Sequence, residues 1–122
     1  MVIDDSETVR IKITQIIKDK GHEVIEAENG QIALDIITKA LDIDFCICDI
    51  NMPEMDGLEM VRLVHLDDVL KDIPILMLTT EASKASKEIG KDAGVVAWIT
   101  KPFKSEKVLS AVERVLKRKK KG

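Results

Sequence analysis

Hydrophobic residues along the chain alternate between short continuous runs and longer stretches in which they recur every three or four positions. Short runs are typical of buried strands, and the longer spacing is typical of amphipathic helices. The runs predict five strands, at residues 1–3, 24–27, 45–48, 73–78 and 95–100. The periodic stretches predict five helices. Three lie over residues 6–20, about 32–40 and about 83–93. The third helix along the chain starts near residue 56 with apolar residues up to 64, and the last one has its apolar residues between 108 and 116.

Turn and cap residues mark the ends of several predicted elements. Lys20 and Gly21 end the first helix with a cation in its last turn and a glycine able to adopt the left-handed conformation. Asp56 and Glu59 have the spacing of a capping box at the start of the third helix. Pro74 stands near the start of the fourth strand, where a missing backbone donor is tolerated.

The order of these elements predicts the fold class. Strands that alternate with helices form a parallel sheet with helices on both faces. The third strand, at residues 45–48, is apolar on both faces, as a central parallel strand must be. Eight strand–helix units would be needed to close a barrel, so the sheet is open. We therefore expect one α/β domain over residues 1–122, a three-layer, doubly wound, five-stranded parallel sheet with five helices.

Composition narrows the class of protein. Of the 122 residues, 45% are hydrophobic and 34% are charged, which is typical of a globular chain. The net charge of -3 argues against a nucleic-acid-binding domain. Because no apolar run approaches the roughly 18 residues of a membrane span, we expect a cytoplasmic protein without membrane contact. Cys46 and Cys48 lack metal-ligand spacing, so we interpret them as small buried hydrophobes in a reducing compartment.

Polar residues collect at the carboxyl ends of the predicted strands, where ligands bind in folds of this class. Asp4 and Asp5 follow the first strand, Asp49 the third, Thr79 the fourth, and Lys101 the fifth. Each alone is an ordinary turn, cap or surface residue. Five such residues at the same edge predict a functional site.

The chemistry of this set is specific. Three crowded carboxylates repel one another unless a cation enters, and oxygen ligands with room for water suit Mg²⁺. An ionised carboxylate can attack a phosphoryl group to give an aspartyl phosphate. The charge on the transferring group then requires an ammonium such as Lys101 and a hydroxyl such as Thr79.

This ordered set of residues resembles the receiver domain of two-component response regulators, and the resemblance covers essentially the whole chain. It implies a flavodoxin-like sheet in the order 2-1-3-4-5. The family has several residues before its first strand, whereas here Met1 begins the apolar run. The motifs that carry the resemblance are Asp4-Asp5, Asp49, Asn51-Met52-Pro53, Asp56-Gly57, Thr79 and Lys101-Pro102-Phe103.

The resemblance implies a role for each acidic residue. Asp49 would accept phosphate from a histidine kinase. Asp5, Asp49 and the backbone carbonyl of Asn51 would hold Mg²⁺, with Asp4 assisting through water.

It also implies how phosphorylation is read. Lys101 would pair with the phosphoryl oxygens, presented by a cis peptide bond to the following proline, and Thr79 would be the switch hydroxyl. Trp98 stands where the family usually has a Tyr or Phe as its switch aromatic. Asn51 and Glu81 would tune the attack of water on the aspartyl phosphate.

The run of residues 78–81, together with residues 98–103, is most similar to single-domain chemotaxis regulators of the CheY type. This implies a chemotaxis-type histidine kinase as donor and the flagellar motor switch protein as target. A dedicated phosphatase is a possible further partner. The target would dock on the face made by the predicted fourth helix, the fifth strand and the last helix. We expect a monomer that acts as a phosphoacceptor and not as an enzyme.

Three alternatives remain open. A Mg²⁺-dependent phosphohydrolase of the haloacid dehalogenase class needs an Asp two residues after its nucleophile, where this chain has Asn51. A flavodoxin needs a hydroxyl-rich phosphate loop after the first strand, where Asp4 and Asp5 would repel phosphate. A receiver separated from a DNA-binding or other output domain would leave the basic run at residues 117–121 as a linker remnant or nucleic-acid contact. A solvated helix C-terminus explains the same run.

Overall fold

Five parallel strands form one sheet in the order β2-β1-β3-β4-β5, which confirms the predicted topology. The computed structural model describes residues 1–39, 43–50, 52, 55–68, 70–80 and 95–121, with side chains to residue 117. The strands are β1 (Val2–Ile3), β2 (Glu26–Ala27), β3 (Cys46–Asp49), β4 (Ile75–Thr79) and β5 (Val95–Thr100).

Helices cover both faces of the sheet. The described residues contain α1 (Glu7–Lys18), α2 (Gly30–Ile37), α3 (Gly57–Leu66) and α4 (Ser105–Lys121). Helix α1 packs against α4 on one face, and α2 packs against α3 on the other. The helix predicted over residues 83–93 lies outside the described residues. Within the described part of the chain, no helix has the length and apolar character needed to cross a bilayer.

The central strand β3 is apolar on both faces, as its sequence predicted. The Cys46 and Cys48 side chains belong to the apolar cluster under α2 and α3, and Ile47 belongs to the cluster under α1 and α4. Both cysteines are free and buried. Burial raises the pKa of the Cys46 thiol to about 11, so the thiol stays protonated at neutral pH, as expected of a small buried hydrophobe.

Strands β2 and β4 each begin two residues later than predicted. Strand β2 begins at Glu26 rather than at residue 24, although the Ile25 carbonyl still accepts a hydrogen bond from the Val2 amide (2.9 Å). Strand β4 begins at Ile75, because Pro74 has no amide hydrogen to donate to a ladder. The Pro74 carbonyl still accepts a hydrogen bond from the Cys46 amide of β3 (3.0 Å).

The backbone of Met1 extends the short strand β1. Its carbonyl accepts a hydrogen bond from the Ile47 amide (2.9 Å), and its ammonium group donates to the Phe45 carbonyl (2.9 Å). Burial lowers the pKa of this ammonium group. Strand β1 is therefore joined to β3 by backbone hydrogen bonds that extend beyond its two residues, Val2 and Ile3.

The strand register aligns the polar residues at the carboxyl edge. Because Ile3 lies opposite Cys48, the next residues, Asp4 and Asp49, leave adjacent strands at the same level. Between β4 and β5 the ladder pairs Thr79 with Thr100, which directly precedes Lys101.

Helix α3 begins with a side-chain cap. The Asp56 carboxylate accepts a hydrogen bond from the Glu59 amide (2.9 Å), as the predicted capping box requires. The Glu59 carboxylate does not complete the box, because both of its oxygens accept from Arg62 (2.7 Å each).

The first residue of α3, Gly57, lies directly against the end of β3. Its amide donates to the Ile50 carbonyl (2.8 Å). A Cβ at this position would collide with the Asp49 carbonyl oxygen and would lie 2.7 Å from Met77 Cε. Only a glycine allows the helix to approach the strand this closely.

We expect Gly57→Ala to lower the free energy of unfolding by about 1 to 3 kcal/mol, the usual cost of overpacking. Alanine is the better helix former, so a loss isolates the clash. Gly30→Ala is the comparison, because its Cβ would lie 2.9 Å from the Met55 carbonyl oxygen and 3.1 Å from flexible Met55 side-chain atoms. Urea unfolding should show the larger loss at Gly57, and equal losses would contradict the assignment.

One buried hydroxyl in α1 has no hydrogen-bond partner within the described part of the protein: Thr14 Oγ1, on a side chain that is 6% exposed. We expect the isosteric change Thr14→Val to raise the free energy of unfolding by about 1 kcal/mol, since an unsatisfied polar group leaves the core. Thr14→Ser, which keeps the hydroxyl and loses the methyl group, should lower it. A Thr14→Val protein less stable than the parent in urea would contradict this account.

Candidate functional site

Three carboxylates meet at the carboxyl edge of the sheet. Oxygen atoms of Asp4, Asp5 and Asp49 lie within 4.8 Å of one another. Asp4 and Asp49 are buried and Asp5 is exposed. The convergence predicted from the strand ends is therefore present, with one of its three acids facing solvent.

Asp4 is held at every polar group. Its amide donates to the Ala27 carbonyl (3.1 Å), and its carbonyl accepts from Arg10 Nη1 (2.9 Å). Its Oδ1 accepts from the Ser6 amide (2.9 Å), and its Oδ2 accepts from Lys101 Nζ (3.0 Å). This buried carboxylate therefore has a fixed direction.

Lys101 bridges two of the acids. Its Nζ lies 3.0 Å from Asp4 Oδ2 and 3.2 Å from Asp49 Oδ1. Its peptide bond to Pro102 is cis, as the resemblance to receiver domains implied. Burial alone would lower the pKa of Lys101, but the hydrogen bond to Asp4 and the charges of Asp4 and Asp49 outweigh burial and raise it. The lysine therefore stays protonated in this site.

Crowding disfavours the ionised form of Asp49. Burial raises the pKa of this carboxyl group, the Asp4 charge raises it further, and Lys101 offsets only part of the effect. A raised folded-state pKa means that the folded protein binds this proton more tightly than the unfolded chain does. Ionised Asp49 is therefore destabilising at neutral pH, and an additional cation would relieve the repulsion.

The donor set fits a hard divalent cation. All three side chains offer carboxylate oxygen, the ligand that Mg²⁺ prefers, and the exposure of Asp5 leaves room for the waters that Mg²⁺ retains. The three carboxylates offer suitable ligands for such an ion. They would also be stabilised by its charge, because Lys101 offsets only part of their mutual repulsion.

The other predicted residues occupy different positions around the site. Thr79 is buried at the end of β4, and its carbonyl accepts from the Lys101 amide (2.7 Å). Trp98 is half-buried opposite Met77, beside a cavity of about 560 Å³ between β5 and α4. The positions predicted to tune hydrolysis, Asn51 and Glu81, lie outside the described residues.

Sequence reasoning missed two contacts near the site. Arg10 reaches the Asp4 carbonyl from inside α1, where its spacing resembles that of any half-exposed helix residue. Lys12 Nζ lies 5.4 Å from the centre of the Phe103 ring, which ties α1 to the segment after Lys101. Neither contact has a sequence signal, because each depends on where a helix comes to rest.

Comparisons with known proteins agree with this geometry. The family model of the response regulator receiver domain matches residues 1–113. A chemotaxis protein CheY homolog of Campylobacter jejuni is 43% identical over 117 residues, which are 95% of this chain and 90% of that protein. Chemotaxis protein CheY1 of Helicobacter pylori is 41% identical, with 95% of this chain and 94% of that protein covered.

Solved structures give the same assignment. The chemotaxis response regulator CheY4 of Vibrio cholerae superposes with a TM-score of 0.88 at 41% identity, over 93% of this chain and 94% of that one. A response regulator from Chloroflexus aurantiacus has the same TM-score at 33% identity, over 94% of this chain and 93% of that one. The chain, with its acidic cluster and bridging lysine, therefore belongs to the receiver domain family of response regulators.

Proposed function

We propose that this protein is a single receiver domain over residues 1–122 that accepts a phosphoryl group on Asp49 from a histidine kinase. The observation that carries the proposal is the contact of Lys101 Nζ with both Asp4 and Asp49 inside the three-acid cluster. This arrangement supplies a nucleophilic carboxylate with a cation 3.2 Å away, where charge develops on a transferred phosphoryl group.

Mg²⁺ is the proposed cofactor. Asp5, Asp49 and the backbone carbonyl of Asn51 would hold the ion, and Asp4 would act through a bound water. When bound, the ion neutralises the charge on the oxygens of the transferring phosphoryl group.

Phosphoryl transfer then requires no general base. An ionised Asp49 oxygen attacks the phosphorus atom, an oxygen–phosphorus bond forms, and the bond between phosphorus and the histidine nitrogen of the kinase breaks. The electron pair of that bond leaves with the imidazole. Lys101 Nζ moves from the free carboxylate to pair with the phosphoryl oxygens, and the Thr79 hydroxyl donates to one of them.

The phosphoryl group stays on this chain, so the protein acts as a phosphoacceptor and not as an enzyme with a separate substrate. Water ends the signal, and the polar side chains of Asn51 and Glu81 would orient it. A dedicated phosphatase could accelerate this step.

The proposed output is a changed docking face, made by the predicted helix over residues 83–93, β5 and α4. The cavity of about 560 Å³ beside Trp98 is lined mainly by residues of β5 and α4. Its target would be the flagellar motor switch protein, because two of the relatives reported above are chemotaxis proteins.

A single-domain regulator is the form that the relatives support. The chain spans 90% of the Campylobacter relative and 94% of the Helicobacter one, which leaves little of either for an output domain. We therefore propose a cytoplasmic monomer that contacts neither nucleic acid nor membrane. The alternative, a receiver domain separated from a DNA-binding domain, is supported only by the basic run at residues 117–121.

Incubation with a small phosphodonor and Mg²⁺ should add one phosphate, on Asp49, as seen by mass spectrometry of the intact protein and its peptides. Chelation of Mg²⁺ should abolish the addition, because Lys101 alone then faces the charge of the transferring group. Asp49→Asn should remain unmodified. Phosphate that persists on the Asp49→Asn protein would overturn the assignment of the acceptor.

Phosphorylation should change the environment of Trp98. The proposed bond from the Thr79 hydroxyl to a phosphoryl oxygen exists only in the phosphorylated form, and a contact made in one state alone shifts the equilibrium toward that state. A coupling of about 1 to 3 kcal/mol corresponds to a population shift of roughly 5- to 150-fold. Since Trp98 is the only Trp and the chain has no Tyr, its fluorescence reports this site alone.

A beryllofluoride phosphoryl mimic with Mg²⁺ should therefore change Trp98 emission or its quenching by acrylamide. Asp49→Asn and Thr79→Ala should both reduce the change. A full response from Thr79→Ala would rule out the hydroxyl coupling. If the parent protein demonstrably binds the mimic but its Trp98 fluorescence does not change, Trp98 is a static packing residue.

A further inference from the structure

Arg10 connects the acidic site to the edge strand of the sheet. Its Nη1 donates to the Asp4 backbone carbonyl (2.9 Å), and its Nε donates to Glu26 Oε1 on β2 (3.2 Å). The guanidinium group therefore contacts the end of β1 and the neighbouring strand at once. Its side chain is 17% exposed and that of Glu26 is 39% exposed.

The ion pair contributes little to stability because it is partly exposed, and pairs of this kind are typically worth less than about 1 kcal/mol. The ion pair instead fixes the orientation of the Arg10 guanidinium group. A planar guanidinium with several donors in fixed positions can hold two acceptors at set angles, which a lysine ammonium cannot do.

The carbonyl that Arg10 holds lies in the backbone between Asp4 and Asp5. It belongs to the peptide group that joins Asp4 to Asp5, and a peptide group is planar. Fixing the direction of this carbonyl therefore fixes the plane from which the Asp5 Cα departs. The bonds from Ser6 and Lys101 act on the Asp4 side chain and leave this peptide group untouched.

Among the residues that the structure describes, Asp5 has no other anchor near the site. Within the described residues its side chain accepts no hydrogen bond, and it is exposed. Its distance to the other two carboxylates therefore depends on the backbone that carries it.

We propose that Arg10 is a positioning residue of the phosphoacceptor site, which sets the distance between Asp5 and Asp49 by clamping the Asp4–Asp5 peptide between α1 and β2. This inference rests on the proposed function, since Asp5 is there a ligand of Mg²⁺. Arg10 touches neither the ion nor the phosphoryl group and acts through Asp5.

The test compares Mg²⁺ affinity among four proteins by calorimetric titration. Arg10→Met keeps the aliphatic stem and removes every donor. Glu26→Gln weakens the anchor on β2 and leaves Arg10 in place. Arg62→Met is the matched control, because it removes another arginine–glutamate pair, on the exposed surface of α3. Urea unfolding shows that each variant is folded at the temperature of the titration.

Arg10→Met should raise the dissociation constant for Mg²⁺ about tenfold, the lower end of the usual effect of losing a residue that orients metal ligands. Glu26→Gln should raise it by a smaller factor, and Arg62→Met should match the parent. Parental affinity in the Arg10→Met protein would overturn the inference.

A double-mutant cycle separates positioning from a general loss of order. If Arg10 acts by placing Asp5, Arg10→Met should weaken binding much less in an Asp5→Asn protein than in the parent. The same fold-loss in both backgrounds would mean that Arg10 has only a structural role, and the inference would fail while the proposed function stands. Absence of Mg²⁺ binding by the parent would instead overturn the proposed function together with this inference.

Discussion

The mutual repulsion of three carboxylates at one edge of the sheet is the constraint on which the rest of the site depends. Asp4 and Asp49 are buried side by side, and Lys101 compensates only part of their charge. Such a cluster cannot hold itself together, so other forces must fix its members in place. Those forces are the backbone ladder, the packing of α3 on β3, and the contacts that α1 makes with β1.

These supports come from different layers of the fold. The ladder sets Asp4 and Asp49 level with each other, and the buried apolar residues of β1 and β3 prevent either strand from slipping. On one face, Gly57 lets α3 rest on the Asp49 carbonyl. On the other, Arg10 fixes the peptide that follows Asp4. The apolar core thus stabilises an arrangement of charges that is unfavourable by itself.

The sequence predicted the fold class and the convergence of polar residues at one edge of the sheet because both follow from local patterns. Apolar runs that end in Asp4, Asp49, Thr79 and Lys101 identify the strand ends, and parallel strands bring their carboxyl ends together. The limits of the strands follow less directly from the sequence, since the ends of β2 depend on its pairing with β1. The contacts of Arg10 and the clash that Gly57 avoids could not be predicted, because they depend on how closely helices pack against the sheet. Sequence periodicity carries no information on that distance.

The bridge between Lys101 and Asp4 also bears on the order in which the molecule folds. Its two partners are 97 residues apart in the chain, so the contact closes nearly the whole polypeptide into one loop. Closing a loop of this length costs more chain entropy than closing a short one, so we expect this contact to form after the shorter loops have closed. We therefore expect Lys101 to join the acidic cluster at a late step of folding. In a nascent chain whose β5 has not yet left the ribosome, the acids lack the counter-charge of Lys101, and the site for phosphorylation is incomplete.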